Sequence, residues 1–314
     1  MFDSMKKITG IFILFCIWCA GCKQDEPQPK SVSDILIEDS ELGMLRAAID
    51  HAGIRDAFKT STVTIYAPSD EGFKAAGFAD ASAITALPPE EVRALLTNHI
   101  MIGKITKEKM ALGLNNPVTM MSKGNAFLSN VNGGPFLNHA RFTKTDMVAT
   151  NGVVHVINNV VPIANRSVGL ILKNTPDYSL FREALLRARI ADPRLQELVD
   201  TTAKTVFSPS YTLFLPTNQA MIAGRLSSAE ISVTSPIILA RTVGYHIALS
   251  RYFSYMLSGN LAMLDASYVT SFDVQSTGIK IKDRQNPPTE ANLIKTNINA
   301  TNGIIHVIDK VLKP

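Results

Sequence analysis

Thr150-Asn151-Gly152-Val153-Val154-His155-Val156-Ile157 returns as Thr301-Asn302-Gly303-Ile304-Ile305-His306-Val307-Ile308, 151 residues later. Three further landmarks return in the same order. Tyr66-Ala67-Pro68-Ser69-Asp70 matches Phe214-Leu215-Pro216-Thr217-Asn218 at a spacing of 148. Leu95-Leu96-Thr97-Asn98-His99-Ile100 matches Thr242-Val243-Gly244-Tyr245-His246-Ile247 at 147, and Phe142-Thr143-Lys144-Thr145-Asp146-Met147 matches Leu293-Ile294-Lys295-Thr296-Asn297-Ile298 at 151. Spacings this constant mean two duplicated globular units, because solenoid repeats recur every ~20 to 50 residues. Each unit, of roughly 130 to 145 residues, is long enough to bury a core of its own.

Within a unit the pattern runs from helices to strands. Leu42, Leu45, Ala48, Ile49 and Ala52 recur at helical spacing and predict a packed helix between Ser40 and Phe58. Thr62 to Ala67 reads as an alternating strand ended by Pro68, after which Ser69 or Asp70 caps a helix. Pro89-Glu90-Glu91 opens another helix toward Asn98-His99, with proline and acids where free amides and the dipole favour them. The second unit repeats the plan with helices at 178–186 and 236–247 and a strand at 211–215. Strand-like segments at 118–121, 126–131 and 153–160, and again at 268–274, 279–281 and 304–311, are separated by turns such as Asn132-Gly133-Gly134 and Thr277-Gly278. Short antiparallel elements are therefore expected, not βαβ units, and the class is α+β.

The first residues are an address. Lys6 and Lys7 precede an apolar run from Ile8 to Ala20, too short to span a bilayer comfortably, which ends at Cys19-Ala20-Gly21-Cys22. This resembles a bacterial lipoprotein signal, with Cys19 where an aliphatic residue is usual. The resemblance implies cleavage after residue 21, lipidation of Cys22 by diacylglycerol and an amide-linked acyl chain, and a protein anchored to the membrane without spanning it. Residues 22–33 then form the lipidated cysteine and a tether, of which Lys23-Gln24-Asp25-Glu26-Pro27-Gln28-Pro29-Lys30 is polar and proline-bearing. That stretch also resembles the export signal of Bacteroidetes-type surface lipoproteins, implying an outer-membrane protein that faces the exterior. All three cysteines, Cys16, Cys19 and Cys22, lie at or before the cleavage point. The mature body is thus expected to have no disulfide, thiolate nucleophile or cysteine metal site.

Charge and motif content narrow the chemistry. The formal charge of +4 is spread thinly, and Lys104, Lys107 and Lys109 form the one compact basic cluster of the first half, interrupted by Glu108. No concentrated basic face with stacking aromatics is present, so nucleic acid is not an expected partner. The six histidines, His51, His99, His139, His155, His246 and His306, come without HExxH, GxSxG or a phosphate-binding glycine loop. Glu90-Glu91 and Asp25-Glu26 are adjacent pairs, which cannot oppose an acid and a base across a substrate. No enzyme, cofactor or metal is expected.

At Thr64 to Phe73 and Asn151 to Pro162, and again at Leu213 to Met221 and Asn302 to Pro314, each half resembles a fasciclin domain. The resemblance covers residues 34–163 and 168–314. It implies two tandem domains, each a wedge-shaped β-sandwich of about seven strands with helices packed at one edge. The boundary at 165–169 is short, which predicts halves that touch.

His155 and His306 lie between β-branched strand residues and are expected to be partly buried, hydrogen-bonded within their own domains toward Asp70 or Asn218. Asn151-Gly152 and Asn302-Gly303 are expected to turn the chain with glycine at positive φ. With Pro68, Asp70, Pro216 and Asn218, these positions are architectural. Animal members of the family engage integrins through a tyrosine-histidine and an aspartate-isoleucine region. The matching candidates for partner binding are Asn98-His99 and Asp146-Met147 in the first half, and Tyr245-His246 and Asn297-Ile298 in the second. The first half lacks the tyrosine and the second lacks the aspartate.

The functional expectation is a non-catalytic surface lipoprotein that binds an extracellular protein or glycan through exposed loops and the domain junction. The alternatives are an accessory or structural subunit of an outer-membrane complex, handling polysaccharide, and, more remotely, a hydrolase with a nonstandard site.

Overall fold

The computed structural model describes residues 28–58, 61–202 and 210–314. The leader and Cys22 lie outside the described residues.

The first domain contains β1 (Val63–Pro68), β2 (Ile100–Ile102), β3 (Gly113–Thr119), β4 (Asn125–Val131), β5 (Gly134–Leu137), β6 (Ala140–Ala149) and β7 (Gly152–Ile157). The second repeats them as β8 (Tyr211–Pro216), β9 (Ile247–Leu249), β10 (Gly259–Ala262), β11 (Val269–Gln275), β12 (Gly278–Lys282), β13 (Glu290–Ala300) and β14 (Gly303–Ile308). Each set forms one seven-stranded sheet of the same order, β2-β1-β7-β6-β5-β4-β3 and β9-β8-β14-β13-β12-β11-β10. The sheets are mixed, which corrects the purely antiparallel expectation. β1 pairs in parallel with β7, and β8 with β14. The turns legible in the sequence report only hairpins. The strands that open and close a domain meet across its whole length, and no local signal marks that pairing.

These central pairs also differ from the alternating pattern expected of a half-buried strand. All six positions of β1, β7, β8 and β14 are buried. In the first domain Ile65, Val154 and Val156 meet the helices through Leu45, Ala48, Ile49, Phe73 and Leu96. On the opposite face Tyr66 and Ile157 pack with Met101, Leu128, Leu137 and Phe142. This second core exists because the sheet turns on its longest strand. β6 pairs with β5 through Ala140 and Arg141 and with β7 from Phe142 to Ala149, with two register shifts on the way. Burying each such apolar side chain contributes ~1.5–3 kcal/mol.

The segment read as one helix over Ser40 to Phe58 is a 3-10 turn, the helix Gly43–Ala52 and a second 3-10 turn, Arg55–Phe58. Gly53, at φ 63°, ends the helix in the left-handed conformation that glycine adopts most readily. Pro89 does begin a helix, Pro89–Thr97, with Glu90 and Glu91 in its first turn. Among the described residues no helix is long and apolar enough to cross a membrane.

Candidate functional site

The repeated polar residues are the natural first candidates, and the structure puts them to the same use in both domains. His99 lies between the helix Pro89–Thr97 and β2. Its Nδ1 lies 2.9 Å from the Leu95 carbonyl oxygen, while its Nε2 accepts from the Val161 amide at 2.8 Å. Accepting at Nε2 places the ring proton on Nδ1, which donates to the carbonyl. His246 repeats this with the Thr242 carbonyl at 2.7 Å and the Leu312 amide at 3.0 Å. Burial pushes both imidazoles down to about 4, so they are neutral near pH 7.

His155 and His306 use the other tautomer. Their Nδ1 atoms accept from the Asp146 and Asn297 amides at 3.1 and 3.4 Å. Their Nε2 atoms therefore donate to the Ile105 and Tyr252 carbonyls at 2.9 and 2.8 Å. The bonds stay within the domain, but they run to the β6 and β13 bulges and to the segments after β2 and β9, not to the Asp70 or Asn218 region. Those two residues instead accept from helix-start amides, Met44 at 2.8 Å and Leu180 at 3.0 Å. Ser69 and Thr217 cap the helices that follow them. Pro68 and Pro216 end the parallel-paired strands β1 and β8.

The Asn-Gly pairs hold the domain termini. Asn151 accepts from the Val32 amide at 2.8 Å and donates to the Phe58 carbonyl. Asn302 accepts from Val168 at 2.9 Å and donates to Glu197 at 3.2 Å. Gly152 and Gly303 are not at positive φ, contrary to expectation. Their requirement is space, since a Cβ would stand 2.2 Å from the Val63 carbonyl oxygen and 2.5 Å from that of Tyr211.

The candidate partner-binding positions divide by depth. Asn98, His99, Tyr245 and His246 are all buried. Asn98 donates to the Val161 carbonyl and Tyr245 to that of Val269, so a partner would reach these side chains only if the surrounding chain opened. Asp146 is exposed, and Met147, Asn297 and Ile298 are half-buried. Asp146 and Asn297 adopt the left-handed conformation, φ 59° and 60°, and accept from the Lys107 and Ser254 amides at 2.7 and 2.9 Å. Both therefore hold the 3-10 turn between the second and third strands of their domain.

Where the copies part company, the domains meet. The segment after β9 runs Arg251-Tyr252-Phe253-Ser254-Tyr255-Met256 and lies against the β3–β5 face of the first domain. Tyr255 stacks on Phe136 with centroids 3.8 Å apart and planes 4° from parallel. The Arg251 guanidinium sits 4.5 Å over the Phe127 ring. Its carbonyl accepts from Asn115 at 2.7 Å. Arg251 is 2% exposed, and it donates to the Gly303 carbonyl at 2.6 Å, Asn299 Oδ1 at 3.1 Å and the Ala300 carbonyl at 3.3 Å. Burial pulls its pKa down to about 10, so it remains charged at neutral pH. Next to this contact a cleft of about 580 Å³ opens between the domains, with Phe78, His139 and Arg166 on one side and Lys295 to Asn299 on the other. Among the described residues no three His, Cys, Asp or Glu side chains gather as a metal site would require.

Residues 40–162 and 176–314 each match the fasciclin domain. The chain belongs to the fasciclin family. Fasciclin domains are structural and adhesive modules, not catalytic ones. The chain is 25% identical over 264 residues to transforming growth factor-beta-induced protein ig-h3 of Oryctolagus cuniculus, covering 80% of this chain and 34% of that protein. It is 26% identical over 279 residues to periostin of Homo sapiens, covering 88% and 30%. It therefore spans about a third or less of the length of these relatives. Among solved structures, the FAS1 domain pair of the insect cell adhesion molecule Fasciclin I aligns over 86% of this chain and 96% of that one, at 20% identity and a TM-score of 0.41.

Sequence reasoning missed Thr64 and Thr212, buried hydroxyls that donate to the Gly103 and Ser250 carbonyls at 2.7 and 2.9 Å. Their spacing of 148 was available as a signal. It also missed Arg251, Phe127, Phe136 and Tyr255. Their signal is the reverse, a stretch where the repeat fails.

Proposed function

We propose that this fasciclin protein is a non-catalytic binding lipoprotein, anchored through Cys22 in an outer membrane and displayed outward, where it engages an extracellular protein or glycan. The observation that carries the binding role is the match of both halves to a family of adhesive domains. The repeated polar side chains support it from the other direction, because they are committed to hydrogen bonds inside each domain. Recognition then falls to the surfaces the two copies do not share, the junction foremost. The anchor rests on the sequence from Lys6 to Cys22.

The test is binding of the full-length protein, in detergent, to an array of glycans and extracellular proteins. A saturable hit reproduced in solution is the expected result. Silence from folded protein, together with stable co-purification of neighbours from gently solubilised envelope, would replace this reading with that of an accessory subunit. Acyl mass on the Cys22 peptide, and release of Cys22→Ala from membranes, are expected for the anchor. A Cys22→Ala protein that stays membrane-bound, with no acyl mass on the wild type, would refute it.

A further inference from the structure

The interdomain cleft differs in charge from every other sizeable depression described. The cleft under the end of β14 sets Asp177 and Asp309 beside Lys310 and Lys313. The one beside the helix Pro236–Gly244 sets Asp192 and Asp265 beside Arg194 and Arg241. The apolar hollow near Ile49 holds Asp50 with Arg46 and Arg55. The interdomain cleft has Arg166 and Lys295 and no carboxylate in its lining.

The duplication shows why Lys295 is free. Its counterpart Lys144 is held by Asp39 at 2.9 Å and Glu41 at 3.1 Å. Asp39 follows the first domain's opening helix, Val32–Glu38, and the residue following the matching helix, Val168–Asn174, is Thr175. Asp177 stands where Glu41 does but lines the cleft under β14, so with no acid in the place of Asp39, Lys295 forms no ion pair among the described residues, and neither does Arg166. Two unpaired cations lining one concave surface attract an anion.

The rest of the lining narrows the kind of anion. Asn159 and Asn165 bring amides that both donate and accept, as hydroxyl-rich ligands require. Phe78, Pro162, Ile163 and Ile298 supply apolar surface for the C–H faces of a sugar ring. Nδ1 of His139 is buried in the wall without a protein partner. The volume, about 580 Å³, lies in the range of small-ligand sites. An extended acidic peptide fits less well, because the register shifts of β13 between Leu293 and Ile298 interrupt the backbone row that such a strand would pair with.

We propose that the cleft between the two domains binds a carboxylate-bearing saccharide, with Arg166 and Lys295 holding the uronate group and the flanking amides and apolar residues holding the sugar rings. This rests on the binding role proposed above and names its ligand class.

The test is calorimetric titration of the full-length protein in detergent with tetragalacturonate, and with maltotetraose as the neutral control. Saturable binding of tetragalacturonate, at least tenfold tighter than that of maltotetraose, is expected. Lys295→Glu and Arg166→Glu should each weaken it more than tenfold while the circular dichroism spectrum stays unchanged. Lys310→Glu, in the neighbouring cleft, should leave it within twofold. Should either cleft variant fail to fold, Lys295→Gln and Arg166→Gln replace the pair, with a loss of at least threefold expected. No binding of tetragalacturonate, or binding indifferent to both cleft substitutions, would overturn the proposal. An array hit on some other macromolecule would then leave the binding role standing without this site, whereas silence in both experiments would remove the two together.

Discussion

The same excursion, from the second to the third strand, has opposite fates in the two domains. In the first it reads Lys104-Ile105-Thr106-Lys107-Glu108-Lys109, and its lysines form no ion pair among the described residues. In the second it reads Arg251-Tyr252-Phe253-Ser254-Tyr255-Met256 and is docked on the neighbouring domain. The backbone scaffolding is shared. Thr64 and Thr212 hold the start of each segment, and Asp146 and Asn297 hold its 3-10 turn. The receiving face differs in the same sense. Phe136 of β5, which stacks on Tyr255, pairs across the strands with Ser129. Lys280 stands in its place in β12, opposite Asp273, and joins Lys282 and Glu290 in an ion-pair network with N–O distances of 3.0 to 3.5 Å. Arm and face are thus aromatic where they meet and charged where they face water. One fold carries both versions, so partner choice was written onto the loop without disturbing the frame.

Arg251→Ala offers the most severe way to break this comparison. It would remove a buried cation from three acceptors and from the Phe127 ring. A loss of about 3 kcal/mol is expected, since unpaired buried carbonyls and a cavity both destabilise. The matched substitution Lys104→Ala should move stability by less than about 0.5 kcal/mol. Urea unfolding of the two variants measures the contrast, and equal midpoints would show that the docked arm holds nothing.

Histidine linkage sharpens the other side of the comparison, the part that the domains share. His99, His246 and His306 have folded pKa values of about 4, against about 6.5 in an unfolded chain, because burial disfavours the imidazolium. Between these values the unfolded state binds more protons, so stability rises with pH. The contribution is fully present above about 6.5 and is lost as pH falls toward 4. Each histidine adds a slope of up to about 1.4 kcal/mol per pH unit in that window. His99→Gln and His246→Gln should each reduce the slope by a similar amount in urea titrations run from pH 7 to 4.5. A slope unchanged by either would mean that the rings are not buried neutral.

Most of each domain was legible in the sequence, for a physical reason. A residue whose side chain closes the fold must sit at the same place in both copies, and repetition exposes it. Asn151 with Asn302 and His155 with His306 surfaced this way. Their partners did not, because a hydrogen bond from His155 to Ile105 crosses half a domain and leaves no trace in spacing. The glycines were found for the wrong physical reason. Gly152 is required by a carbonyl on a parallel strand, and that strand pairing was itself invisible. The cleft was harder still, since Lys295 differs from Lys144 in lacking the acid beside it, and Thr175 stands out only against Asp39. Repetition reveals the frame, whereas the interdomain contact and the unpaired cations of the cleft lie where repetition lapses.

The smallest effect makes the sharpest test of that distinction. Replacing Lys104, Lys107 and Lys109 together with serine should change stability by less than about 0.5 kcal/mol, because exposed charges contribute little to folding. The turn they occupy is held through its main-chain amides, Lys107 donating to the Asp146 carboxylate and Ile105 to the Thr64 hydroxyl, which serine leaves intact. The urea midpoint should therefore stay in place, and so should its dependence on salt, since the lysines form no ion pair for salt to screen. A drop of more than about 1 kcal/mol, or a midpoint that becomes salt-sensitive, would mean that the first domain's arm contributes to the fold as the second domain's does. The two arms would then differ in chemistry but not in role.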